Sequence, residues 1–209
     1  MIWLHEADWR RRMQYIAEKM LKASRFQDLA KTLNEDELAK VIQNINRLLG
    51  ENKEYADSKN YGHLCNLLSA LALVQMYEAE GKTRTEAQRI VLEAMYRYLE
   101  PQVSSMQRLA AHRWFVPMLK IAMPIKFRHT LGYGWSVSFP KAPRHRFEMV
   151  THSCIYAQIF AKYGIPEMTK GFCKVDNLLY DHLPNTKFSY TERIGEGGSR
   201  CDYCYERVK

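Results

Sequence analysis

The hydrophobic pattern of this chain is helical up to about residue 130 and first changes its period there, which divides the chain into a helical half and a mixed half. An apolar stripe with the spacing of an amphipathic helix opens the chain at Trp9, Met13, Ile16 and Met20. Near residue 133 the period becomes two, and the sequence YGWSVSF at 133–139 is typical of a strand.

Turn and capping signals between the apolar runs predict the individual elements. Helices are expected over 9–20, 35–49, 57–80, 84–100, 102–114, 153–163 and 166–182, and strands over 133–139, 146–151, 187–194 and 200–208. Asn34–Glu37 and Thr83–Glu86 have the spacing of capping boxes. Pro101 is expected to end one helix, and Pro117 and Pro124 to kink or end the next.

The order of these elements predicts an α+β fold. A helical N-terminal half is followed by β-β-α-α-β-β, which forms a small antiparallel sheet with helices packed on it. Gly195–Gly198 is expected to join the last two strands as a hairpin. We expect residues 1–55 to be a helical extension and residues 56–209 to be the α+β catalytic domain.

The excess positive charge is confined to one segment. The chain has 31 basic and 23 acidic residues, and the segment 101–147 holds eight basic residues and no acid. Such a segment favours an anionic small substrate, a phosphate backbone or an anionic membrane surface, or it is merely a solvated face. Nucleic acid is disfavoured because no helix-turn-helix pattern is present. If an anionic substrate is bound, Arg144 and Arg146 are expected to contact it.

Cysteine usage and hydropathy indicate a cytoplasmic protein. The five cysteines show no framework of close pairs, and the start of the chain has no apolar secretory core. The longest apolar stretch, Leu67–Tyr77, is too short to span a bilayer and is expected to be a buried helix.

Cysteines and carboxylates near the C-terminus are the candidate catalytic groups. Cys173 and Asp176 lie three residues apart on a predicted helix and so share a face. Cys201 and Cys204 lie in a predicted strand, where a spacing of three turns them to opposite faces and argues against a shared metal or disulfide. By the same rule Asp202 faces away from Cys201.

A further thiol opens a short predicted helix. Cys154 is placed where the helix dipole favours a thiolate, and His152 is its nearest candidate base. Free cysteines are also often small buried apolar residues without chemistry.

The C-terminal third resembles the L-2-amino-thiazoline-4-carboxylic acid hydrolase family. The resemblance is carried, in order, by Cys154, Gly164-Ile165-Pro166-Glu167, Cys173-Lys174-Val175-Asp176, and Gly197-Gly198-Ser199-Arg200-Cys201-Asp202-Tyr203. It covers residues 150–209 well and residues 60–150 loosely. Tyr190 stands where the family pattern has an arginine.

The resemblance implies hydrolysis of a small cyclic amidine, with ring opening to an N-carbamoyl cysteine. A cysteine is the expected nucleophile, Cys173 first because Asp176 shares its face, and Tyr190 and Arg193 are expected to contact substrate. No cofactor is expected, although a metal-activated water held by Cys154, Cys173 and Cys201 is a rival mechanism. Redox or ring-forming chemistry on the same scaffold, a non-enzymatic binding role, and a homo-oligomer all remain open.

Overall fold

The computed structural model describes the backbone of residues 6–208 and the side chains of residues 14–208. The helices are α1 (Glu6–Ala23), α2 (Gln27–Ala30), α3 (Glu35–Glu51), α4 (Tyr61–Ala79), α5 (Arg84–Ala110), α6 (Phe115–Thr130), α7 (Ile155–Lys162) and α8 (Glu167–Tyr180). The strands are β1 (Ser136–Ser138), β2 (Arg146–Ser153), β3 (Thr186–Tyr190) and β4 (Cys201–Arg207). The side chains of Trp9 and Met13, in the predicted stripe, lie outside the described residues.

The chain divides into two compact units, residues 1–98 and residues 99–209. In the first unit α1, α3 and α4 pack together, and α4 buries twelve of its nineteen residues. This confirms the prediction that Leu67–Tyr77 is a buried helix. The predicted domain boundary between residues 55 and 56 stays a prediction.

Both predicted capping boxes are present. At the start of α3, the Asn34 side chain accepts the N–H of Glu37, and the Glu37 carboxylate accepts the N–H of Asn34, each at 2.9 Å. Before α5, Thr83 and Glu86 exchange the same pair of hydrogen bonds at 3.0 and 3.3 Å. These contacts satisfy amide groups that the first helical turn leaves free.

The expected helix break at Pro101 is wrong, because α5 continues through Pro101 to Ala110. A proline inside a helix removes one backbone hydrogen bond and crowds the preceding turn. The apolar residues Val91, Met95 and Leu99 are buried along this helix. Beyond Pro101, Ala110 is buried and Met106 and Leu109 pack against the core, and this burial outweighs the cost of one lost bond.

Pro117 and Pro124 do not end a helix, since both residues lie within α6, and the alternative of a kink at these prolines stays a prediction. Pro117 occupies the first turn, where a backbone N–H has no partner within the helix and its loss costs nothing. The helix break instead lies at residues 111–114, between α5 and α6.

The strands form one antiparallel sheet in the order β1-β2-β4-β3. After α6, the second unit continues in the order β1-β2-α7-α8-β3-β4, which confirms the predicted α+β fold. The expected pairing of the last two strands is confirmed, with Tyr190 opposite Tyr203. The two central strands are β2, which pairs with β1 and β4, and β4, which pairs with β2 and β3.

The two faces of the sheet differ in character. The inner face packs against α6 and carries aromatic and apolar side chains, among them Phe147, Phe188, Tyr203 and Tyr205. The opposite, outer face carries polar side chains that include Glu148 and Cys204. Cys201 lies on the inner face, so the strand period decides which cysteine of the pair is buried.

None of the helices within residues 6–208 combines the length and the hydropathy that a bilayer crossing requires.

Candidate active site

Cys173, Asp176 and Cys201 come together where α8 meets the loop that precedes β4. Cys173 and Asp176 lie one turn apart on α8, and Cys201 is the first residue of β4, with 5% of its surface exposed. The Cys173 and Cys201 side chains are hydrogen-bonded to each other. A helix face and a strand face therefore combine into one thiol pair beside a carboxylate.

The two thiols of this pair are not equivalent. Cys201 receives hydrogen bonds from Cys173 and from the backbone N–H of Ile194, which lies 3.3 Å from its Sγ. The hydrogen bond with Cys173 is the main reason that the pKa of Cys201 falls to about 7. That same bond, followed by burial, raises the pKa of Cys173. The directions of the two shifts favour ionisation of Cys201, with Cys173 as its hydrogen-bond donor.

Cys154 is the third thiol of this cluster and precedes α7 as its N-terminal cap. Burial raises its pKa to about 11, although the N–H groups of Ala157 and Tyr156 oppose that rise. The expectation that the helix start favours a thiolate is thus outweighed by desolvation. Cys154 is a neutral thiol at physiological pH.

A tyrosine that the sequence reasoning missed holds the carboxylate. The Tyr203 hydroxyl donates to Asp176 Oδ2 at 3.0 Å. Burial, and then the charge of Asp176, raise the pKa of Tyr203, so the phenol remains a hydrogen-bond donor. Because Tyr203 follows Cys201 by two residues, the strand period could have placed both on one face.

Arg193 is the largest fully buried side chain of the described residues, with 1% of its surface exposed. Its Cζ lies 3.5 Å from the Tyr190 ring centroid and 5.4 Å from that of Tyr203. Nη1 donates to the side-chain amide oxygen Oδ1 of Asn177. Nε and Nη2 have no acceptor among the described residues. Burying a guanidinium whose donors lack acceptors is costly, and an anionic acceptor would reduce that cost.

The loop that carries Arg193 lies directly against α8 at Gly195. A Cβ at that position would lie 2.9 Å from Cys173 Sγ and 3.0 Å from the backbone of Thr169 and Lys170. Glycine is therefore needed for close approach, a role the hairpin prediction did not include. Gly197, at φ 90°, supplies the left-handed turn of the same loop.

Asp202 and His152 do not join the thiol cluster. Asp202 lies on the outer face and accepts the backbone N–H groups of Thr191 and Glu192 at 2.7 and 2.9 Å, which fixes the loop that bears Arg193. Burial opposes the fall in its pKa, but these bonds and the Thr191 hydroxyl lower it. His152 is exposed, and its Nε2 lies 2.8 Å from Ser138 Oγ. The carboxylate and the imidazole are thus placed away from Cys201 and Cys154.

The basic residues expected to contact substrate also lie apart from the thiols. Arg146 pairs with Glu148 at 2.6 Å and lines an outer-face groove of about 360 Å³ together with Cys204. Arg144 is an exposed loop residue. Of the four predicted substrate contacts, Tyr190 and Arg193 lie beside the cluster and the two basic-segment residues do not.

Across the described residues, no set of three or more His, Cys, Asp or Glu side chains has an arrangement that could hold a metal ion. Cys154, Cys173 and Cys201 interact electrostatically without forming such a set.

The fold and the cluster define an α+β protein with a buried thiol–carboxylate site. The chain belongs to the L-2-amino-thiazoline-4-carboxylic acid hydrolase family, whose family model matches residues 65–205. The resemblance noted in the C-terminal third is thereby confirmed and extended into the helical half.

No curated protein sequence is significantly similar to this chain. Two solved structures are similar over most of their length, the Fe(II) unliganded H-NOX protein from K. algicida and a point mutant of that protein. The first is 12% identical to this chain and the mutant is 10% identical. The similarity covers 94% and 93% of this chain, respectively, and 96% of each H-NOX chain. Both TM-scores are 0.36.

Proposed function

We propose that this protein hydrolyses a small cyclic amidine that bears a carboxylate, by covalent catalysis at Cys201. The observation that carries the proposal is the Cys173–Cys201 thiol pair beside Asp176. A thiol with a pKa of about 7 is half ionised at neutral pH, and its thiolate is a strong nucleophile. The prediction of Cys173 as nucleophile stays untested, and the direction of the two pKa shifts favours Cys201 instead.

The reaction is hydrolysis of the ring C–S bond at a carbon that is bonded to two nitrogens and one sulfur. The Cys201 thiolate adds to that carbon, and the ring C–S bond breaks, so that the ring sulfur leaves as a thiolate. Water then adds to the same carbon and the bond to Cys201 breaks. One proton of the water passes to the released sulfur and the other to the former ring nitrogen, while Cys201 leaves as a thiolate. The product is an N-carbamoyl amino acid with a free thiol.

Two charged groups fit the rest of such a substrate. The Asp176 carboxylate, oriented by Tyr203, can accept hydrogen bonds from the amidine N–H groups. The free Nε and Nη2 donors of Arg193 match the two oxygens of a carboxylate. Because Cys201 is largely buried, neighbouring side chains must move before substrate reaches it.

The test compares Cys201→Ser with Cys204→Ser, a matched control on the same strand but the opposite face. The substrate is 2-aminothiazoline-4-carboxylate, and product formation is followed by mass spectrometry. We expect the Cys201 variant to lose at least about 10³-fold in kcat, and the control to keep wild-type turnover. Intact-protein mass spectrometry of the wild type should detect a substrate adduct on Cys201.

Near-normal turnover by Cys201→Ser would refute the covalent step. Stoichiometric metal in the wild type that is lost in this variant would instead favour a metal-activated water. If the wild type leaves the substrate unchanged, the substrate class is wrong.

A further inference from the structure

Helix α6 is apolar on two faces. Its inner face buries Phe115, Val116 and Leu119 against the sheet. On the outside, Ile121 and Ile125 are 67% and 57% exposed, and Trp114, just before the helix, is 45% exposed. The positions 114, 121 and 125 fall on one side of a helix with 3.6 residues per turn. The outer side of α6 therefore presents an apolar stripe to solvent, formed by these three residues.

Exposed cations accompany this stripe on the same helix or just before it. Arg113 precedes the helix, and Lys126 and Arg128 lie in its last turns, all of them exposed. No ion pair joins these three to an acidic group among the described side chains. The segment 101–147 that contains them has no acidic residue at all.

The β1–β2 loop brings two further exposed cations close to α6. The Lys120 ammonium donates to the carbonyl oxygen of Pro143 at 2.8 Å, and also to that of Ala142. This contact holds the β1–β2 loop beside α6, and the loop carries the exposed residues Lys141 and Arg144. Five exposed cations thus lie next to α6, within it or on the loop that it contacts.

We propose that α6 docks on the surface of an anionic lipid bilayer. In this position Trp114, Ile121 and Ile125 enter the headgroup region, and the accompanying cations contact lipid phosphates. An apolar stripe alone would also suit a second copy of this chain. Self-association would, however, bring two acid-free segments together, and the like charges disfavour it. A helix of sixteen residues, about 24 Å long, lies along the surface and does not cross it.

Vesicle flotation of the full chain tests this proposal. Vesicles of equal parts phosphatidylglycerol and phosphatidylcholine are compared with vesicles of phosphatidylcholine alone, at 50 mM and 500 mM NaCl. We expect binding to the anionic vesicles to be at least about tenfold tighter and to weaken at high salt. The double variant Ile121→Ser/Ile125→Ser should lose at least about tenfold in binding, because both side chains are exposed and contribute to insertion.

Val208→Ser is the matched control, since Val208 is also an exposed aliphatic residue but lies at the end of β4. It should bind vesicles like the wild type. The Ile121→Ser/Ile125→Ser and Val208→Ser variants should both keep the circular dichroism spectrum of the wild type and its turnover of soluble substrate.

Three outcomes would overturn the proposal. The first is no binding to anionic vesicles at 50 mM NaCl, and the second is binding that the double variant leaves unchanged. The third is an absence of vesicle binding combined with either dimerisation through the stripe or a gel shift of a nucleic-acid duplex at low salt. None of these results depends on hydrolase activity, so failure here and failure of the proposed function are distinguishable.

Discussion

Removing the Cys173 thiol should move the pH at which the protein becomes active. The hydrogen bond from Cys173 is the largest contribution that lowers the pKa of Cys201 from its ordinary value of 9.0 to about 7. In Cys173→Ala that donor is lost, and we expect the apparent pKa of kcat/KM to rise toward 9. Activity should still increase with pH, because the thiolate is the reactive form.

The size of the effect follows from the two pKa values. At pH 7 the thiolate fraction falls from about one half to about 1%, so kcat/KM should fall about 50-fold. Above pH 9.5 both proteins are largely ionised, and the difference should shrink to a few-fold.

The assay is a profile of kcat/KM between pH 5.5 and 10 for the wild type and three variants. Cys173→Ser retains a hydroxyl donor and should keep a profile close to that of the wild type. Cys204→Ser, on the outer face, should not change the profile. An unchanged pH midpoint in Cys173→Ala would refute the assignment of Cys173 as hydrogen-bond donor. Loss of all turnover in Cys173→Ser would instead indicate that Cys173 is the nucleophile.

Other changes at the cluster have equally specific consequences. Asp176→Asn should lower kcat by about 10²–10⁴-fold in the same turnover assay while circular dichroism stays unchanged. Arg193→Lys should raise KM for a carboxylate substrate at least about tenfold, and a descarboxy analogue should show no such difference between variant and wild type. Gly195→Ala should lower the free energy of unfolding in urea by about 1–3 kcal/mol, because its Cβ would meet Cys173 Sγ and the α8 backbone, and an unchanged midpoint would contradict that packing. The raised pKa of Cys154, about 11, means that its neutral form stabilises the fold fully below its unfolded pKa near 9, and that this contribution is lost as pH rises through 11. Urea titrations at pH 8 and pH 11 should therefore show a smaller alkaline loss of stability in Cys154→Ser than in the wild type, and equal losses would contradict it.

The local patterns of the sequence determined most of the elements and part of the site. Helical spacing placed Cys173 and Asp176 on one face, and the strand period placed Cys201 and Cys204 on opposite faces. The same rules predicted both capping boxes and the order β-β-α-α-β-β. These features depend on residues within a few positions of one another, for which backbone geometry alone sets the neighbours.

The prolines mark where local rules stopped being sufficient. Pro101 and Pro124 lie inside helices because burial of an apolar face outweighs one lost backbone bond, and burial is a property of the packed chain. The strand order was undetermined for the same reason. Placing β4 between β2 and β3 requires contacts between segments about fifty residues apart.

The chemistry of the thiols was decided by tertiary structure alone. Cys173 and Cys201 are 28 positions apart, and their mutual hydrogen bond, together with the N–H of Ile194, decides which of them ionises. Likewise Arg193 carries free donors because the sheet and α8 bury it among aromatic rings, and nothing in its neighbours along the chain indicates that burial. The sequence determined which groups are present on each element, whereas desolvation and long-range contacts determined their protonation and their partners, because both depend on what the folded chain brings around each group.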